Sequence, residues 1–132
     1  MKRVYVMGAM SSPNPLQFLE NLRRGMRLST EVLMAGYAVF SPFIDFSLFF
    51  QLHDGEKIPV ELIKASSMKW LEVSDAGILV PGWEDSPGTH DELNRTDKLS
   101  IPVFHSLEEL KREMPPYPSM GLNDFYTKEM GL

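Results

Sequence analysis

An open α/β sheet is the fold this sequence predicts, and three observations predict it. Four short apolar runs, rich in β-branched and aromatic residues, are spaced along the chain. Two of the segments that follow them carry apolar residues at a helical period. The third run, Ala76-Gly77-Ile78-Leu79-Val80, holds no polar side chain, as a strand buried on both faces of a parallel sheet requires. Strand and helix alternate throughout, which is the pattern of parallel strands joined by right-handed crossovers.

Arg3-Val4-Tyr5-Val6-Met7 reads as a buried strand that stops at Gly8. The loop 8–15 is small, polar and turn-forming, with Asn14 as a cap for the first helix. Leu19, Leu22, Met26 and Leu33 then recur at steps of three, four and seven, which predicts one buried helix face ending at Gly36. Arg23, Arg24 and Arg27 form a solvated face of the same helix. Residues 37–40 make the second strand, closed by Ser41-Pro42. The stretch 43–50 carries four phenylalanines, spaced for a short helix or folded loop; a pocket wall, a lid, core and dimer surface all stay open for it. Asp54-Gly55 is a turn, and Pro59 suits the first turn of a helix that turns Val60, Ile63, Ser67, Trp70 and Leu71 to one side.

Asp75 closes the turn into the third strand. A loop over 81–88 leads to a helix over 89–99, and 101–104 is the fourth strand. Ser106-Leu107-Glu108-Glu109 has the form of a capping box at the start of a last helix. One domain is therefore expected over 1–113, followed by a Pro-containing tail over 114–132. The architecture is flavodoxin/Rossmann-like: an open parallel sheet of four or five strands with helices on both faces. Ligands of such sheets sit beyond the carboxyl ends of the strands, which singles out the loops 8–15 and 81–89.

Composition removes several chemistries. The chain has 132 residues, enough for one domain of ordinary size. Its 13 Lys and Arg against 18 Asp and Glu give a net charge of −5, the opposite of a surface for a nucleic-acid polymer. There is no cysteine, hence no disulfide, thiolate metal site or thiol nucleophile. No apolar run approaches the roughly 20 residues of a membrane helix. The apolar part of the start, MKRVYVMG, is too short for a signal peptide, so a cytoplasmic protein without membrane association is expected. Loop 8–15 lacks the later glycines of a dinucleotide fingerprint, and no P-loop or nucleophile elbow is present. His53, His90 and His105 lack metal-ligand spacing. Neither a metal nor a cofactor is expected.

The second loop says more. Ser86, Gly88 and Thr89 stand where a helix begins, and free backbone N–H groups there favour an anion. Glu92 falls in the first turn on this reading, and Thr89-x-x-Glu92 is also a capping box, which spacing alone favours over catalysis. Trp83 suits stacking on a base or a hydrophobic plug.

Three segments together resemble the nucleoside 2-deoxyribosyltransferase superfamily, including the 2′-deoxynucleoside 5′-phosphate N-hydrolases, with the small DUF4406-type proteins nearest. They are Val4-Tyr5-Val6-Met7-Gly8-Ala9-Met10-Ser11, then Trp70-Leu71 through Asp75-Ala76, then Leu79-Val80-Pro81-Gly82-Trp83-Glu84-Asp85-Ser86-Pro87-Gly88-Thr89-His90-Asp91-Glu92. The last is the most specific. The resemblance implies that Glu92 is the nucleophile in N-glycosidic cleavage or transfer, kept ionised by the helix start. It implies that Ser86, with Gly88, meets a 5′-phosphate, that Tyr5 lies at the floor of the site, and that Gly8 lets the ligand approach the backbone. It also implies a homodimer or higher homo-oligomer acting on a small nucleoside or nucleotide. Where the superfamily has an aspartate three residues before a tryptophan, this chain has Ser67 before Trp70. Protonation of the departing base then falls to Asp85, His90 or Asp91. The alternative is a nucleotide-binding or sensing module without turnover.

Overall fold

A computed structural model describes residues 1–117. The strands are β1 (Arg3–Met7), β2 (Ala38–Phe40), β3 (Ala76–Leu79) and β4 (Val103–Phe104), all parallel in the order β2-β1-β3-β4. The helices are α1 (Pro15–Met34), α2 (Val60–Glu72), α3 (Pro87–Lys98) and α4 (Leu107–Glu113), with 3-10 segments over Asp45–Gln51 and Trp83–Asp85. This is the open α/β sheet that the alternation predicts. Chain order reverses between β1 and β3, so the crevice lies between the loops that leave them.

Side chains alternate across the sheet and divide the core into two. Val4, Val6, Ile78 and Phe104 pack under α1 and α4 with Leu22, Val32, Tyr37, Phe43 and Leu110. On the other face Tyr5, Met7 and Leu79 meet Leu71 of α2, with Leu93 of α3 partly buried against them. Tyr5 is thus the middle residue of β1, one of the two inner strands, on the face covered by α2 and α3. Arg95 reaches Glu72 at 3.5 Å and ties those two helices together.

The buried face of α1 is not the predicted one. Leu22 is buried, but Leu19, Met26 and Leu33 face solvent, and the buried set is Asn21, Leu22, Gly25, Ser29 and Val32. The interface is rotated by roughly a quarter turn from the apolar stripe. The cause is Phe43, whose ring occupies the space beside Gly25: a Cβ there would come within 2.3 Å of it. Ser29 Oγ satisfies itself on the Gly25 carbonyl and on Ser41 Oγ, both at 2.7 Å. On α2 likewise, Ser67 and Leu71 are buried while Val60 and Trp70 stand out, Trp70 being 55% exposed.

Pro59 precedes α2 as its N-cap instead of standing in its first turn, while other local expectations hold. Asn14 caps α1, its Oδ1 accepting from Leu16 N at 2.9 Å, and the Asp75 carboxylate accepts from Arg3 N at 2.7 Å. Ser106 Oγ accepts from Glu109 N, and Glu109 reaches back to His105 N. Arg23, Arg24 and Arg27 pair with Glu20 and Glu31 on the surface. The first residues assigned to the tail fold back: Tyr37 donates its hydroxyl hydrogen to the Met114 carbonyl at 2.7 Å, and Tyr117 N reaches the Gly36 carbonyl. Residues 118–132 of the expected tail lie outside the described residues. No described helix is long and apolar enough to cross a membrane.

Candidate functional site

Glu92 and Tyr5 meet at the switch point. Tyr5 is fixed by its strand and by stacking on Phe40 (ring centroids 5.4 Å apart, 19° between planes). Glu92 projects from α3 onto the same face, and its carboxylate and the Ser67 hydroxyl of α2 are both side-chain hydrogen-bond partners of the Tyr5 hydroxyl. Ser67 Oγ in turn donates to Asp45 Oδ2 at 3.4 Å. Four side chains from four elements thus form one chain of contacts, Glu92–Tyr5–Ser67–Asp45.

Burial sets their protonation. It holds the Tyr5 phenol far above its ordinary range, with the Glu92 charge as the next cause, so the hydroxyl stays a donor. Burial also pushes the Glu92 carboxyl from 4.5 up to about 7; the Tyr5 hydrogen bond pulls against this, and Asp91 adds to it. The carboxyl therefore keeps its proton to a higher pH than an exposed glutamate does. This corrects the expectation that the helix start keeps it charged. The true N-cap is Ser86, with Pro87 at the first helical position. Glu92 sits in the second turn, beyond the reach of the helix-end charge, and forms no capping box with Thr89. The Asp45 carboxyl is raised too, by burial, with the Ser67 hydrogen bond opposing.

The start of α3 faces the same crevice. Ser86 Oγ accepts from Thr89 N at 3.3 Å and from Thr89 Oγ1 at 3.0 Å. That leaves its own hydrogen, and the Gly88 N–H, without an acceptor among the described residues. Glu92 is six residues further on, about 9 Å along the axis, and helical side chains tilt back toward the N-terminus.

Gly8 and Trp83 have packing roles in the fold, and Gly88 has none. A Cβ at Gly8 would lie 2.7 Å from Val80 Cβ and 3.3 Å from Phe43, so this glycine lets the two loops close on each other. At Gly88 nothing lies within 4 Å, so its lack of a side chain is not demanded by the fold. Trp83 joins the Tyr5 core cluster from its edge, its ring against His90 and His105 at 5.5 and 6.3 Å. The three proposed stand-in acids are poorly placed: Asp85 and Asp91 are exposed, and the His90 ring is tied to the Glu84 carbonyl at 2.6 Å. Of the phenylalanines in 43–50, Phe43 is core, Phe46 packs on Phe18 and Phe49, and Phe50 is 78% exposed.

Asp45 is the residue that sequence reasoning missed. The signal was there in retrospect: it is the one charged side chain in the run Phe43-Ile44-Asp45-Phe46-Ser47-Leu48-Phe49-Phe50. It stands on the wall of a depression of about 240 Å³ whose lining includes Phe40, Leu48, Ile63 and Trp70. Phe40 stacks on Trp70 as it does on Tyr5, at 5.7 Å and 19°, so three rings step outward from the sheet centre to this depression. Among the described residues no group of three or more His, Asp or Glu side chains is arranged to hold a metal ion. No protein-family model matches the chain, and a comparison with curated proteins returns no match.

Proposed function

We propose that the protein cleaves or transfers the N-glycosidic bond of a 2′-deoxynucleoside or its 5′-monophosphate, with Glu92 as nucleophile. The observation that carries this reading is the Glu92–Tyr5 pair: a shielded carboxylate, oriented by a permanently protonated phenol, in the crevice of an open parallel sheet. One Glu92 oxygen attacks C1′ as the C1′–N bond lengthens, giving a glycosyl-enzyme ester that water or a second base then opens. The Tyr5 hydrogen bond holds the carboxylate in line and favours its ionised form. The 5′-phosphate belongs, on this reading, to the free hydrogens of Ser86 and Gly88, which suits a protein whose net charge of −5 offers an anion no general attraction. The partners are then a small nucleoside or nucleotide and a second copy of the chain, in the cytoplasm.

The test is incubation with a panel of deoxynucleosides and their 5′-monophosphates, with free base read by chromatography. Release from at least one substrate that disappears in Glu92→Ala is the expected result; release that survives the substitution overturns the assignment. A second reading, a nucleotide sensor without turnover, draws on Ser67 standing where the resemblance implies an aspartate. No release from any substrate, together with tight binding by calorimetry, selects it.

A further inference from the structure

Cleaving an N-glycosidic bond takes a nucleophile for the sugar carbon and a proton for the departing nitrogen. Glycoside-cleaving sites commonly divide the two tasks between two carboxyl groups. Glu92 accounts for the first. For the second, α2 offers the hydroxyls of Ser66 and Ser67, both too weak as acids for the task. Asp85 and Asp91 are open to solvent, and His90 is engaged by a backbone carbonyl. Asp45 differs from all of these. It arrives from the 3-10 segment after β2, is half-buried, and is joined to the Glu92–Tyr5 pair through Ser67 at 3.4 Å. It is also the one charged side chain among the described residues lining the depression beside Phe40 and Trp70, whose other walls are aliphatic and aromatic apart from Ser66.

We propose that Asp45 is the proton donor to the departing base, which sits in the depression lined by Phe40, Leu48, Ile63 and Trp70, with Ser67 positioning the carboxyl. This rests on the reading of Glu92 as nucleophile. As the C1′–N bond breaks, its electron pair goes to the base, and the base nitrogen takes the Asp45 proton. The C1′–O bond to Glu92 forms in the same event. When water then attacks C1′ and the ester opens, the Asp45 carboxylate receives the proton that water sheds, and both carboxyl groups return to their starting states. The partial burial that raises the Asp45 carboxyl keeps more of it protonated than an exposed aspartate would be.

The experiment compares Asp45→Asn with the parent on two substrates: a purine 2′-deoxynucleoside 5′-monophosphate, and the matching nitrophenyl glycoside of 2-deoxyribose, whose phenolate leaves without a proton. General acid help is worth about 10²–10⁴-fold. The loss in kcat is expected in that range on the purine substrate and below about tenfold on the nitrophenyl glycoside. Ser67→Ala is expected to show the same selectivity with a smaller loss. Equal losses on both substrates overturn the role of Asp45 while leaving Glu92 in place. A parent protein that releases neither leaving group overturns the reading of Glu92, and that of Asp45 with it. Circular dichroism and urea midpoints matching the parent show that the variants are folded.

Discussion

Replacing Glu92 with glutamine is expected to stabilise the protein at alkaline pH while abolishing base release. Burial moves the Glu92 carboxyl from 4.5 to about 7 in the folded chain. A carboxyl that holds its proton more tightly when folded contributes stability that is complete below the unfolded value and is lost as pH rises through the folded one. Each tenfold change in proton affinity is worth about 1.4 kcal/mol, so ionised Glu92 costs the native state about 3 kcal/mol at pH 8.5. The glutamine amide has the shape of the protonated acid, and its carbonyl still accepts from Tyr5. Asp45, also raised, is common to both proteins and cancels in the difference. Urea unfolding of parent and Glu92→Gln at pH 4 and pH 8.5, with equal m values, measures the effect. The variant should exceed the parent by about 3 kcal/mol at pH 8.5 and match it within about 0.5 kcal/mol at pH 4. Parallel pH dependences would refute the claim that this carboxylate is held against the cost of its burial.

The remaining predictions concern the same site and its supports. Because the nucleophile must be ionised, kcat/KM on the nitrophenyl glycoside, whose phenolate leaves without a proton from Asp45, should climb as pH rises through about 7, the Glu92 value in the free protein; a flat profile between pH 5 and 9 would contradict it. Tyr5→Phe removes the hydrogen bond that favours ionised Glu92, worth about 1 kcal/mol, and should move that limb to higher pH with the fold intact by circular dichroism. Gly25→Ala drives a Cβ into the Phe43 ring and should cost about 1–3 kcal/mol in urea unfolding, whereas Gly88→Ala meets open space and should change stability by less than about 0.5 kcal/mol. Asn14→Ala should cost about 1 kcal/mol by the same measurement, through loss of the α1 cap.

The strands were legible because burial on both faces leaves a plain mark: Val4 to Met7 and Ala76 to Leu79 are continuous apolar runs and are buried throughout. Caps were legible where a single side chain acts on its own neighbours, as at Asn14 and Ser106. The α1 interface was not, because close helix–sheet approach there favours small residues. Gly25 and Ser29 carry no hydrophobic signal, and the ring that demands Gly25 comes from Phe43, eighteen positions beyond it. At the site, Tyr5, Ser67, Ser86 and Glu92 were singled out from motif residues, but the state of Glu92 depends on burial between α2, α3 and the sheet. No local pattern records that environment. Asp45 was hidden for a related reason: its partner Ser67 is 22 positions away, and a carboxylate among phenylalanines has meaning only once the fold has brought the two together.

The ladder of rings Tyr5, Phe40 and Trp70 gives the molecule a built-in optical reporter. The sequence has two tryptophans. Trp83 is wedged between two histidines at the edge of the core, whereas Trp70 is more than half open to water at the rim of the depression. A flat ring settling there would strip water from the second indole and leave the first in place. Emission from Trp70 would move to shorter wavelength as the depression fills, and a Trp83→Phe protein would show that change without background. Occupancy could then be followed by light, with no label and before any bond is broken.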